Sequence, residues 1–219
     1  RAGPEVGVAA TKTFLSQLAL LALLALRLGE LNNTLSGEEL EHMRRKIYET
    51  PKLVSEAIRL TEEKAKFLAK KYSAKKSFFF LGRGTSVATA MEGALKLKEV
   101  SYVHAEAYPA GESKHGPIAL VREGFPVVFV APPDETKNKI IGNMMEMRAR
   151  GASIISLTQE GEKEIEQLSD AVFNLPPTPA PLTPITYTVP LQLFAYYMAV
   201  ERGVDPDKPR NLAKSVTVP

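Results

Sequence analysis

Between residues 77 and 175, short apolar runs alternate with longer amphipathic stretches, and this alternation limits the fold more than any other feature of the chain. Ser77–Leu81, Pro126–Ala131, Ser153–Leu157 and Ala171–Leu175 are short, mostly apolar runs. Val87–Val100, Thr136–Arg150 and Glu162–Leu168 lie between them with helical patterning. Strands that are apolar on both faces and joined by helices make a parallel sheet covered on both sides. The pattern predicts an α/β fold: a three-layer α/β/α sandwich over about residues 73–202, with a parallel sheet of four or five strands. Val103–Ala107 is the additional short strand.

Residues 1–72 carry no strand pattern and read as a leading helical segment. Thr11–Leu28 is one helix with Gly29 as its C-cap. A second starts at Ser36-Gly37-Glu38-Glu39, a capping sequence, and runs to about Tyr48. Pro51 restarts a third, which ends near Lys71. The first helix is apolar nearly all round, so it is expected beneath other helices or a partner subunit. After the sandwich, five prolines between residues 176 and 184 mark a loop. Ile185–Arg202 reads as a helix, started or interrupted by Pro190. The tail, residues 203–219, is irregular, but its stretch Pro209–Val218 mixes Leu, Val and Pro with a single lysine, Lys214, and is predicted to dock.

Composition removes several classes of function. Net charge is +3 and the basic residues are interspersed with acidic ones, so a nucleic-acid stripe is missing. The chain has no cysteine, which excludes disulfides and thiolate catalysis. Its three histidines, His42, His104 and His115, have no metal-ligand spacing. Leu18–Leu26, the most apolar stretch, falls well short of the roughly 20 residues that span a membrane. The opening Arg1-Ala2-Gly3-Pro4 shows no signal-peptide pattern and reads as part of a longer, cytoplasmic protein.

Four places hold chemistry-bearing residues, each with a bland alternative. The turn Gly82-Arg83-Gly84-Thr85-Ser86 follows a strand and opens a helix, which suits an anion, but tight βα turns are common without one. Glu92, Lys96 and Glu99 fall within roughly 60° of one another on a helix, forming a carboxylate–ammonium–carboxylate row. Such a row can hold a cation and pass a proton, or be an exposed face with ordinary pairs. Tyr108–Pro117 is a loop whose His115 can act as an acid–base group near neutral pH, or simply titrate in solvent. His104 reads as packed and His42 as solvated. A docked tail can desolvate Lys214, lowering its pKa for imine formation, or can merely cover apolar surface.

Taken together, several of these segments resemble the glucosamine-6-phosphate synthase family in order and nearly letter by letter. They are Gly7-Val8-Ala9-Ala10-Thr11-Lys12, Leu81–Gly84, Glu92-Gly93-Ala94-Leu95-Lys96-Leu97-Lys98-Glu99, Ala105–Tyr108, Gly111–Pro117 and Pro209-Arg210-Asn211-Leu212-Ala213-Lys214-Ser215 through Val218. The likeness runs from about Ala2 to Val218. It implies the sugar-isomerising (SIS) half of an enzyme that converts fructose 6-phosphate and glutamine-derived ammonia to glucosamine 6-phosphate. Residues 1–72 would then be the end of the first SIS subdomain with linker helices, 73–202 the second, and 203–219 the catalytic tail. The glutaminase domain and most of the first SIS subdomain would lie outside this chain.

The resemblance also implies roles. Lys214 forms the imine, Glu99 shuttles the proton, and His115, reaching a neighbouring subunit, assists ring opening. Lys96 and Glu92 orient the sugar and Glu99, while Val8, Ala10 and Ala213 contact the sugar. The chain departs from the family at Ala10, usually Ser, and at Pro219, usually Glu. The family's phosphate loop of Ser, Gln and Thr is missing, and the 82–86 turn is its pseudo-symmetric counterpart, not its replacement. A homodimer is implied, with no metal or organic cofactor, because the lysine, carboxylates and imidazole are the protein's own. The alternatives are an SIS-type glucosamine-6-phosphate deaminase and a non-catalytic sugar-phosphate-binding module.

Overall fold

A computed structural model describes residues 2–215. Five parallel strands form one sheet in the order β2-β1-β3-β4-β5: β1 Ser77–Gly82, β2 His104–Pro109, β3 Pro126–Val130, β4 Ser153–Gln159 and β5 Ala171–Leu175. Alternation along β1 assigns the two faces. Phe78 and Phe80 point into a core shared with the helices α2 (Gly37–Tyr72), α3 (Ser86–Ser101) and α6 (Thr183–Glu201). Phe79 and Leu81 point into a second core with α4 (Lys137–Arg148) and α5 (Lys163–Leu168). The result is a three-layer α/β/α sandwich. The extra strand is β2, in full register with β1 from Ser77↔His104 to Gly82↔Pro109, so it is longer than its sequence suggests.

The helices correct the sequence reading in three places. Gly29 does not stop α1 (Lys12–Leu31). Asn33 does, entering the left-handed region at φ 51° while Thr34 N–H closes back on the Gly29 carbonyl at 3.0 Å. Pro51 does not begin a new helix, because α2 continues through it for 36 residues. One backbone bond is lost there, at a cost of about 3 kcal/mol. Burial of Ile47, Ala57, Ala65, Leu68 and Ala69 offsets that cost, and the Thr50 hydroxyl donates to the Lys46 carbonyl beside the proline. Pro190 likewise sits inside α6, buried. The capping box forms as its sequence predicts: the Ser36 hydroxyl accepts from Glu39 N–H at 3.2 Å, and the Glu39 carboxylate accepts from Ser36 N–H at 2.8 Å.

Among the described residues, the expected cover over α1 is present on one side only. Its inner side, with Leu15, Leu18, Ala22 and Leu26, packs on Ile47, Leu182 and Ile185. Its outer side is open: Leu20 is 65% exposed and Leu31 59%. By length and apolarity alone this 20-residue helix is able to cross a membrane. The tail docks only in part. Val204 packs against the main core and Pro209 is buried, but residues 211–215 are exposed. Residues 216–219, including Pro219, lie outside the described residues.

Candidate active site

The α3 helix runs back across the sheet from the turn that ends β1. Gly82 makes this turn possible, since a Cβ there would lie 2.5 Å from the Ser86 carbonyl oxygen. Gly93 lets α3 settle onto the sheet, with Leu191 and the Phe80 ring filling the space of its absent side chain. Ala90, Ala94 and Leu97 face inward, as the spacing predicts.

The Glu92–Lys96–Glu99 row is not the exposed face of the bland alternative. Lys96 is 4% exposed. Its ammonium lies 2.5 Å from Glu99 Oε2 and 3.5 Å from Glu92 Oε1. A buried lysine flanked by two carboxylates stays compensated where a lone charge would be costly. Among the described residues, Glu92 Oε1 is buried with no hydrogen-bond partner beyond its 3.5 Å approach to Lys96. Burial pushes the Glu92 carboxyl upward, the Lys96 ammonium opposes this, and the Glu99 charge adds to it. Glu99 is the more open of the two carboxylates, its side chain 22% exposed against 10% for Glu92. The row thus has a desolvated inner end and a solvent-reachable outer carboxylate, as a proton carrier requires.

Lys96 forms part of the wall of a cavity of about 330 Å³, with Gly7, Ala9, Thr11, Gln192 and Asp207. Four segments distant in sequence meet there: residues 5–12 leading into α1, the middle of the chain on α3, α6 through Gln192, and the start of the tail. Val8 N–H donates to the Asp207 carbonyl at 3.0 Å, and a Cβ on Gly7 would lie 2.8 Å from Asp207 Oδ1, so the first and last segments are in close contact. Glu5 fastens the first segment. It accepts from Thr11 N–H at 2.9 Å, Lys12 N–H at 3.1 Å, the Thr11 hydroxyl at 2.8 Å and the Thr13 hydroxyl. Burial alone raises the Glu5 pKa, but the Thr13 and Thr11 hydrogen bonds, with a contribution from the Lys214 charge, bring it to about 2.

The structure gathers some of the expected residues and leaves others apart. Glu92, Lys96 and Glu99 form one cluster. Val8 and Ala10 are not among the cavity's walls, although their neighbours Gly7, Ala9 and Thr11 are, and the Val8 N–H is already engaged by the Asp207 carbonyl. Ala213 and Lys214 are exposed and outside its walls, so the expected desolvation of Lys214 is not present in this arrangement. His115 ends a 3₁₀ turn, Ala110–His115, with its side chain 65% exposed and Glu112 4.0 Å away. His104, expected to be packed, is on the edge strand with its side chain 62% exposed, 3.3 Å from Glu106. Glu5, Asp207 and Gln192 escaped the sequence reading. Their signal is weak, because nothing in the local pattern announces that residues 5–12 and 206–207 meet. Among the described residues, no group of His, Asp or Glu is placed to hold a metal ion.

The SIS domain family matches residues 71–202, the greater part of the chain. Curated relatives named glutamine–fructose-6-phosphate aminotransferase (isomerizing) align along its whole length. The Thermococcus kodakarensis protein is 50% identical over 217 residues, which is 99% of this chain and 36% of that protein. The Pyrobaculum aerophilum protein is 52% identical over 221 residues, which is 100% of this chain and 35% of that protein. The chain thus spans about a third of these relatives' length. Among solved structures, the C-terminal domain of glucosamine-fructose-6-phosphate aminotransferase from Francisella tularensis superposes with a TM-score of 0.90 at 39% identity, covering 94% of this chain and 58% of that one. The five-stranded parallel sheet, its two helical layers and the matched residues make this chain a member of the SIS domain family.

Proposed function

We propose that this chain is the C-terminal part of the sugar-isomerising half of a glutamine–fructose-6-phosphate aminotransferase, acting on fructose 6-phosphate. The observation that carries this reading is the buried Glu92–Lys96–Glu99 row beside a cavity, in a chain half identical to enzymes of that name along 99% of its length. The Lys214 amine adds to C2 of the open-chain ketose and water leaves, giving an imine. Ammonia displaces the lysine, and Glu99 carries a proton from C1 to C2, yielding glucosamine 6-phosphate. Lys96 holds the Glu99 carboxylate in place, and Glu92 holds Lys96. Val8, Ala10 and Ala213 contact the sugar through their backbone, and His115 acts in ring opening at the site of a neighbouring copy in a homodimer.

In this reading residues 1–72 close the first SIS subdomain and residues 203–219 form the catalytic tail. The glutaminase and the rest of the first subdomain belong to the same cytoplasmic polypeptide. The phosphate is held by the first subdomain, and the outer face of α1 packs against it. The chain alone therefore makes little or no product. A deaminase or a sensing module is less well supported, because relatives named as the aminotransferase match at about 50% identity through the tail.

Borohydride reduction tests the reading. It is applied to the full-length polypeptide with fructose 6-phosphate, and the adduct is mapped by mass spectrometry. A sugar-phosphate mass on Lys214 is expected. Sugar binding without an adduct there would remove Lys214 from the reaction and sink the imine mechanism.

A further inference from the structure

One bulky residue holds a backbone conformation that bulky residues avoid. Tyr102 ends α3 with φ 59° and ψ 24°. In this left-handed region the Cβ crowds the following carbonyl, so glycine or asparagine is the usual occupant. The other positive-φ residues outside glycine, among those described, are both asparagines, Asn33 and Asn211. A glycine would make the same turn without strain, so the reason for tyrosine lies in its side chain.

That side chain grips the tail twice. The Tyr102 hydroxyl accepts from Arg210 N–H at 2.7 Å, and the Arg210 guanidinium lies 4.3 Å from the ring centroid. Beneath it the frame is braced: Arg202 Nε donates to the Ser101 carbonyl at 2.9 Å and Nη1 to the Ser73 carbonyl at 2.7 Å, joining the ends of α6, α3 and α2. Tyr102 therefore stands between two chemical groups. Glu99 is three residues before it on α3. Lys214 is four residues beyond Arg210, past a left-handed turn at Asn211 and an exposed stretch with no other anchor among the described hydrogen bonds.

We infer that Tyr102 is a positioning residue, a latch that sets the Lys214-bearing end of the tail relative to Glu99. The inference rests on the reading of Lys214 and Glu99 as groups that act on adjacent carbons of one sugar. An amine on a loose tail reaches C2 in the right orientation less often, and rate falls with that misplacement. The strain supplies the means of separating a latch from a structural stitch, since Tyr102→Gly removes the side chain and relaxes the backbone together.

The experiment compares Tyr102→Gly and Tyr102→Phe with the parent in the full-length polypeptide. Amide hydrogen exchange of residues 203–215 is followed alongside kcat, KM for fructose 6-phosphate and the rate of borohydride trapping at Lys214. In Tyr102→Gly, tail exchange is expected to speed up, and kcat and trapping to fall about tenfold or more with KM little changed and sheet protection intact. Tyr102→Phe, keeping the ring, falls between. Unchanged tail exchange and trapping in Tyr102→Gly would overturn the inference, and so would loss of protection across the sheet. Should the parent trap no sugar at Lys214, the reading of the site fails by itself, while tail exchange still reports whether Tyr102 holds the tail.

Discussion

At the scale of single residues, Lys96 carries the most consequence for its size. Among the described residues it is the only buried cation, and both of its partners are carboxylates. Replacing it with methionine keeps the volume of the stem and strands Glu92 in apolar surroundings. Breaking a buried pair from one side costs about 3–5 kcal/mol. The sign with pH follows from Glu92, whose pKa already lies above the ordinary value because of burial. Without the ammonium it rises further. Lys96→Met should therefore be most destabilising above that pKa and less so as the pH falls through it and Glu92 takes up a proton. Urea unfolding at a series of pH values measures this. A penalty that is flat with pH would mean that the uncompensated charge is not the cause. The row itself was legible in the sequence, since three residues at i, i+4 and i+7 declare a common face. Its burial was not, because that depends on residues 5–12 and on α6 closing over α3, and these contacts are distant in sequence.

At the scale of elements, strands read well and helix ends read poorly. A strand of the central sheet is identified by its own apolar run, which must be buried on both faces, and β5 was found where Ala171–Leu175 predicts it. Helix boundaries depend on what lies alongside. Pro51 and Pro190 look like breaks locally, yet the core packing of α2 against α6 outweighs one missing bond in each. The seating of α3 is the element-level fact with the clearest consequence. A Cβ at Gly93 would lie 2.8 Å from Leu191 Cδ1 and 3.1 Å from the Phe80 ring. Gly93→Val must push α3 away from the sheet or force those side chains off their rotamers, at a cost of about 1–3 kcal/mol. The same displacement moves Lys96 and Glu99, about one and two turns further along. Thermal unfolding should register the loss of stability. If the melting temperature is unchanged or higher, as helix propensity alone would have it, α3 is not packed this closely.

At the scale of the whole molecule, the outer face of α1 is the feature that a chain of this length leaves unresolved by its own contacts. The sequence foretold an apolar helix in need of cover, and the structure shows half of that cover. Leu15, Leu18 and Leu26 are placed against α2 and the start of α6, while Leu20, Leu21, Leu24, Leu28 and Leu31 remain open. No sequence pattern within the chain distinguishes these two sides, because both are leucine; the difference lies in which side has a neighbour. A contiguous apolar face of this kind costs solubility unless something covers it. If the first SIS subdomain covers it, as proposed, the consequences differ between the isolated chain and the full-length polypeptide. In the isolated chain, Leu20→Lys with Leu24→Glu should reduce concentration-dependent association in sedimentation velocity and leave the circular dichroism unchanged, since neither side chain belongs to a core. In the full-length polypeptide the same pair should lower stability, because about 25 cal/mol is lost for each Å² of apolar surface no longer buried there. A double substitution that is neutral in the longer polypeptide would place the first subdomain elsewhere and leave a second copy of the chain, or a membrane, as the cover for α1.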